Sequence, residues 1–280
     1  MKRTRPRGEV GVTSFLTIES RKIEIQRHNN ERSDRPWLIF LHEGLGCSAM
    51  WRDFPRRLSR EAGCPALVYS RFGYGNSDPA PLPWKLNYMH KEALNILPKV
   101  IEAADIKEYI LIGHSDGGSI GIIFSGSPVA KGLKGLITEA AHVFCEPLSV
   151  DSIAKAKISY EHHELKKGLE KYHGRNTDNA FYGWNGVWLN PRFMHFNIEK
   201  YLKSIKVPML ALQGRDDQYG TPKQLESIKT HVPQATTYLI DNCRHTPHFE
   251  QPEITMDNMV RFIETLIASH MKSLNLHRRT

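Results

Sequence analysis

Tyr109-Ile110-Leu111-Ile112-Gly113-His114-Ser115-Asp116-Gly117-Gly118 is an apolar run that ends in G-x-S-x-G. The run reads as a buried strand, and the glycines after it read as a sharp turn into a helix. Such a turn lifts Ser115 clear of the sheet. Its hydroxyl then sits at a helix N-terminus, where free backbone N–H groups favour developing negative charge. Gly113, Gly117 and Gly118 supply the small neighbours that a tight turn packed on strands requires.

A serine hydroxyl needs a base to take its proton, and the base needs a third group to orient it. On a sheet of this kind the expected chain order is Ser, then Asp or Glu, then His. Val207 to Gln213 is a second buried-strand pattern, ending in Gly214-Arg215-Asp216-Asp217. Thr236 to Ile240 is another, ending in Asp241-Asn242-Cys243-Arg244-His245. Both place their polar residues just past a strand C-terminus, where open α/β sheets build sites. Ser115 is read as nucleophile, His245 as general base and acid, and Asp217 as the orienting carboxylate. Asp216 and Glu139 are rivals for the acid, and His248 is a rival for the base. Asp116 sits well by charge in the first helical turn, and its backbone N–H is the part given a role.

Taken with these segments, the chain from about Thr13 to Ser269 resembles the α/β-hydrolase superfamily. His42-Glu43-Gly44-Leu45-Gly46 resembles its oxyanion loop, and Ser70 to Asp78 its Gly-rich turn. Gly113 to Gly117 resembles the nucleophile elbow, Gly214 to Asp217 the G-x-x-D acid loop, and His245 to Glu253 the H-x-x-x-x-E-x-P histidine loop. The resemblance implies an oxyanion hole made by the backbone N–H groups of Asp116 and of Gly44 or Leu45. The chain departs from the pattern at three places. Glu43 stands where the Gly of His-Gly is usual, Arg244 stands where Gly usually precedes the histidine, and Ser70 and Phe72 replace Asp and Arg. A carboxylate beside the oxyanion loop would oppose the forming charge, so Glu43 is expected to pair with Arg71, the alternative being a solvated carboxylate that points out of the pocket.

Elsewhere the chain alternates strand and helix patterns. An opening hairpin (Phe15–Glu19, Lys22–Gln26) precedes strands at Trp37–Leu41, Pro65–Tyr69 and Leu133–Thr138. Helices are expected over Ala49–Ala62, Met89–Ala104, Thr221–His231 and Pro252–His270. The fold expected is α/β: a mostly parallel central sheet of about eight strands with helices on both faces. Residues 13–140 and 206–270 would form this core. Residues 141–205 lose the strand rhythm and read as a small helical cap. Phe181, Tyr182, Trp184, Trp188, Phe193 and Phe196 crowd that cap. Most are expected to glue it down, with Trp184 or Trp188 facing substrate beside Glu43.

The net charge of +8 suggests a nucleic-acid partner at first sight. Lys2, Arg3, Arg5, Arg7, Lys272, Arg278 and Arg279 account for all but +1 of it. Residues 1–12 and 271–280 are therefore expected as basic tails, with no nucleic-acid surface on the body. No signal-peptide pattern or membrane-length apolar run is present, and the four cysteines show no C-x-x-C pairing. A reduced, cytoplasmic protein is the expectation. Neither a cofactor nor a metal is expected, because none of the fourteen histidines stands in H-E-x-x-H spacing. The partner would be a small-molecule substrate, and a homodimer is left open. The expected activity is a cap-bearing serine hydrolase on a small, largely apolar ester, lactone or activated ketone. The alternatives are non-hydrolytic chemistry on the same triad, as in cofactor-free peroxidation or a lyase, and a low-turnover ligand receptor.

Overall fold

A computed structural model describes residues 13–29 and 35–277. Of the basic tails expected at 1–12 and 271–280, residues 1–12 and 278–280 lie outside the described residues, and residues 271–277 are not a tail but continue the last helix. Eight strands form one sheet: β1 (Thr13–Ile18), β2 (Arg21–His28), β3 (Trp37–Leu41), β4 (Ala66–Tyr69), β5 (Tyr109–His114), β6 (Leu133–Glu139), β7 (Met209–Gly214) and β8 (Thr236–Ile240). Their spatial order is β1-β2-β4-β3-β5-β6-β7-β8. β1 and β2 pair antiparallel, as does β2 with β4, and every later pairing is parallel. β5 is thus central, and the serine that follows it is carried near the middle of the sheet edge.

Alternating side chains of the central strands feed two cores, because successive residues of a strand face opposite ways. Ile39, Leu41, Leu67 and Leu111 point into one and Leu38, Phe40, Val68, Ile110 and Ile112 into the other. Helices α1 (Phe54–Ala62) and, at the chain end, Pro252–His277 cover the second face through Leu58 and Met259. On the first face lie α2 (Tyr88–Lys91), α3 (Leu97–Ala103) and α4 (Asp116–Ser125). Burying both sheet faces requires the near-continuous apolar runs seen in β3, β4 and β5.

Three expected helices differ in detail. The helix expected from Ala49 is a 3-10 turn (Ser48–Trp51) followed by α1, whose start is set by Pro55 in its first turn. The long helix expected over Met89–Ala104 widens into a π turn at Glu92–Ile96 between α2 and α3. Pro98 has no N–H for the helical ladder, and the widened turn precedes it. The closing helix runs on to His277 rather than stopping at 270. No Gly or Pro stands between 253 and 277 to end it.

The segment between β6 and β7 is helical: α5 (Pro147–Glu161), α6 (Glu164–His173), α7 (Thr177–Trp188) and α8 (Glu199–Leu202). Its two ends are clamped together. Phe144 and Asn197 form an antiparallel bridge, flanked by Cys145 N–H to Phe196 C=O at 3.0 Å and Ile198 N–H to Val143 C=O at 2.8 Å. Phe181, Trp184, Trp188, Phe193 and Phe196 are buried in a core continuous with that of the sheet, while Tyr182 is exposed. Phe181 stacks on Tyr160 at 3.6 Å and Phe193 on Phe196 at 4.8 Å, so most of these rings hold the insertion down. The last helices are α9 (Lys223–His231), α10 (Pro247–Glu250) and α11 (Pro252–His277). Among the described residues no helix is long and apolar enough to cross a membrane, and no disulfide links the four cysteines.

Candidate active site

β5 ends in a turn that leaves Ser115 at φ 53°, ψ −118°. A non-glycine residue rarely adopts this geometry, and here packing enforces it. Ser115 N–H donates to the Glu139 carbonyl at 2.8 Å, and α4 begins at the next residue. A Cβ on Gly113 would lie 2.3 Å from the Gly117 carbonyl oxygen, and one on Gly117 would lie 2.0 Å from that of Leu41. The helix therefore touches the strands backbone to backbone, which is the close approach the motif's glycines permit.

Ser115, His245 and Asp217 meet although up to 130 residues separate them. His245 Nε2 is 2.9 Å from Ser115 Oγ, and its Nδ1 is 2.8 Å from Asp217 Oδ1. A carboxylate only accepts, so Nδ1 carries the proton and the Nε2 lone pair faces the serine hydroxyl. Asp217 Oδ1 also accepts the Tyr219 N–H at 2.8 Å, two residues on, in the manner of an Asx turn. Burial pushes the Asp217 carboxyl up, but His245 and the Tyr219 N–H outweigh it and hold the group below its ordinary value. The Tyr219 ring packs on His245 at 4.7 Å and the His142 ring at 5.9 Å. Burial, helped by His245, pushes His142 down to about 4, so it is neutral at pH 7.

The two rivals for base and acid pair with each other. His248 Nδ1 lies 2.9 Å from Glu139 Oε2, and the His248 backbone N–H donates to the same oxygen at 3.0 Å. Asp216 makes no contact with His245; its backbone N–H donates to the Cys243 carbonyl at 2.9 Å.

The loop after β3 is pinned by its carbonyls. The Glu43 carbonyl accepts from Arg71 Nη2 and from His42 Nδ1, each at 2.8 Å. The Gly44 carbonyl accepts from Tyr74 OH at 2.8 Å, and the Leu45 carbonyl from His173 Nε2 at 2.9 Å. In a trans peptide the N–H points away from the preceding C=O. Holding the Glu43 and Gly44 carbonyls toward Arg71 and Tyr74 therefore turns the Gly44 and Leu45 N–H groups the other way. The Asp116 N–H, as the first of α4, has no intrahelical acceptor. The Trp184 indole covers this loop: a Cβ on Gly44 would meet its Nε1 at 2.1 Å.

Three expectations about side chains are corrected. Glu43 and Arg71 do not form a carboxylate pair. The 43–46 turn closes with Gly46 N–H to Glu43 C=O at 3.1 Å and curls the side chain back over Gly46. The carboxylate then faces His114, with Oε2 3.5 Å from Nδ1. From Glu43 Arg71 takes only the backbone carbonyl; it also donates from Nε to His42 Nε2 at 3.3 Å and turns its Nη1 toward Asp116 at 3.9 Å. The Asp116 side chain, in turn, is not idle at a helix start. It is fully buried and accepts from Tyr88 OH and from Trp188 Nε1, the latter at 3.3 Å. Trp188, expected to face substrate, thus holds the elbow from behind, with its ring 5.1 Å from that of His142. The residues that sequence reasoning missed are Tyr88, His114, His142, His173 and Tyr219. Only Tyr219, two residues after Asp217, stands in a pattern that could have marked it.

A cavity of about 780 Å³ is lined by Arg71, Tyr74, Trp84, Tyr88 and Glu92, among others. Ser115, Glu43, Trp184 and Trp188 do not line it. Among the described residues no group of three or more His, Cys, Asp or Glu side chains is arranged to hold a metal ion.

A doubly covered α/β sheet with a strained serine between strand and helix defines a class of hydrolase-fold proteins. The chain belongs to the alpha/beta hydrolase family, whose profile it matches over residues 38–257. Family membership supports an enzyme of the hydrolase type. A proline iminopeptidase from Lactobacillus delbrueckii subsp. lactis is 23% identical over 269 residues, spanning 79% of this chain and 87% of that one. The fold is shared with an esterase from Exiguobacterium antarcticum (TM-score 0.73, 17% identity, 90% of this chain and 100% of that one). It is shared also with the enol-lactonase from Burkholderia xenovorans LB400 (TM-score 0.70, 15% identity, 90% and 100%).

Proposed function

We propose that the protein is a serine hydrolase acting on a small, largely apolar ester or lactone through Ser115, His245 and Asp217. The observation that carries this reading is the continuous hydrogen-bonded line from Asp217 Oδ1 through His245 to Ser115 Oγ. In this reading Ser115 attacks the substrate carbonyl and its proton passes to His245 Nε2. The carbonyl oxygen gains charge between the N–H groups of Asp116, Gly44 and Leu45. His245 then protonates the leaving oxygen, and an acyl group remains on Ser115. Water, deprotonated by His245, attacks that acyl group and frees the acid. Asp217 keeps the imidazole in the tautomer that faces Ser115 and supports its positive charge.

The buried position of Ser115, 7% exposed, and the Trp184 indole over Gly44 favour a small acyl group over a polymer. The relatives' names, an iminopeptidase, an esterase and an enol-lactonase, share attack on an acyl carbonyl. An activated ketone remains the second substrate class, because it presents the same carbonyl to the same serine.

The test is labelling by a fluorophosphonate and turnover of short p-nitrophenyl esters. Label is expected on Ser115 alone, and Ser115→Ala is expected to abolish it and to lower kcat by about 10⁴-fold or more, since triad members act as a unit. Near wild-type turnover in Ser115→Ala would remove the reading.

A further inference from the structure

His114 stands immediately before Ser115, and the chemistry above uses neither it nor Glu43. Its ring is 2% exposed. On one side Nε2 lies 2.8 Å from the backbone carbonyl of His245. A carbonyl only accepts, so Nε2 carries a proton. On the other side Nδ1 faces Glu43 Oε2 at 3.5 Å, with no hydrogen-bond partner of its own. The charged and titratable groups that face this ring come from three segments around the site. Glu43 reaches it from the turn after β3, Glu139 from the end of β6, and His245 and His248 from the segment after β8. Both of those rings lie 5.2 Å away.

We propose that His114 is a positioning residue, an imidazolium strut that spans from Glu43 on the oxyanion loop to the His245 carbonyl on the histidine loop. It sets the spacing between the groups that hold the oxyanion and the group that moves the proton. The inference rests on the reading of Ser115 as nucleophile. It also accounts for the carboxylate beside the oxyanion loop: with a cation held against it, Glu43 adds little negative potential where the oxyanion forms.

The strut needs its second proton. With Nδ1 protonated, that edge of the ring attracts Glu43. Once it is deprotonated, a lone pair faces the carboxylate, and the Glu43 end is repelled while the His245 end stays bonded. Burial pushes the His114 pKa down, but Glu43, Glu139 and the His245 carbonyl outweigh it and place it at about 9. Reactivity at Ser115 is therefore expected to fall as pH rises through about 9. In Glu43→Gln the amide NH₂ can donate to a neutral Nδ1, so the tie no longer depends on that proton.

The experiment measures the rate of fluorophosphonate labelling at Ser115 from pH 6.5 to 10.5, together with the His114 ring titration by ¹⁵N-histidine NMR. Wild type is expected to lose about tenfold in rate between pH 8 and 10, with the His114 ring titrating near 9. Glu43→Gln is expected to label at a pH-independent rate over that interval, with the ring titrating below 7. His114→Ala should label about tenfold more slowly at neutral pH. A Glu43→Gln rate that is lower but keeps the wild-type midpoint would mean that Glu43 only packs, and would overturn the proposal. So would a wild-type ring that titrates below 7. Failure of wild type to label at any pH would strike the reading of Ser115 instead, and the ring titration in the two proteins would still decide on the strut.

Discussion

Asp217 and Glu139 each place a carboxylate oxygen within 2.9 Å of a histidine Nδ1, yet only the first of these histidines reaches a hydroxyl. Their contributions should therefore separate. Asp217→Asn is expected to lower kcat on a p-nitrophenyl ester by about 10⁴-fold, because an amide that donates to Nδ1 selects the wrong imidazole tautomer. Glu139→Gln leaves that line intact but removes the charge from a fully buried pair, which costs about 3 kcal/mol of stability or more. It should lower the melting temperature clearly and kcat far less. A larger kcat loss in Glu139→Gln than in Asp217→Asn would move the acid to β6. The three residues of the line could be picked out in the sequence because each follows a strand end, Ser115 by one residue, Asp217 by three and His245 by five, and because the spacing from His245 to Pro252 distinguishes it from His248. The partner of Glu43 was not legible. Arg71 was reasonable because its loop leaves a neighbouring strand at the same end of the sheet, but the direction of the side chain depends on a turn closed by Gly46 N–H, a contact only the folded backbone defines. The buried tie from Asp116 to Trp188 was hidden for a similar reason, since it spans 72 residues with no repeating spacing.

Strand identities could be read directly, because a sheet covered on both faces demands unbroken apolar runs such as Trp37–Leu41 and Tyr109–Ile112. Helices were legible in place but not in form. The π turn at Glu92–Ile96 depends on how the chain accommodates Pro98, which apolar periodicity does not encode. Two glycines test how helices meet this sheet, and they should respond with opposite sign. Gly117 lies where α4 touches β3, and an added Cβ would be 2.0 Å from the Leu41 carbonyl oxygen and 2.8 Å from that of His42. Both obstacles are backbone, so Gly117→Ala must displace the strand end that leads into the 43–46 turn. A loss of about 1–3 kcal/mol is expected, as for overpacking in a core, together with slower fluorophosphonate labelling. Gly186 lies inside α7 with nothing within 4 Å of an added Cβ. Gly186→Ala should raise stability by about 0.5–1 kcal/mol through helix propensity alone. Urea melts of both variants check the pair, and a destabilised Gly186→Ala would show that α7 packs against more than the contacts described.

At the scale of the molecule, the formal charge is less informative than which of the fourteen histidines fold in as neutral rings. Burial, the largest cause in each case, holds His28, His42, His90, His142 and His173 below their ordinary value of 6.5. Their bonding agrees with neutral rings. His42 Nε2 accepts the Arg71 N–H while its Nδ1 donates, and His173 Nδ1 accepts the Gly75 N–H while its Nε2 donates. Such groups stabilise the fold above the unfolded pKa, and that contribution is lost as pH falls below 6.5, because the unfolded chain takes up the protons first. His114 has the opposite sign. Its pKa is raised to about 9, so its contribution is complete below 6.5 and is lost as pH rises from there through 9. Five groups thus weaken the fold on the acid side and one on the alkaline side before the thiols and phenols titrate. Asp116 and Glu92, raised by burial, soften the acid flank only near the ordinary carboxylate range. The melting temperature is therefore expected to peak near pH 6.5–7 and to fall more steeply from 6.5 to 5 than from 6.5 to 8. Differential scanning fluorimetry across pH 4.5–9.5 at constant ionic strength checks this, and an acid flank that stays flat to pH 5 would mean that the buried histidines are protonated in the native state.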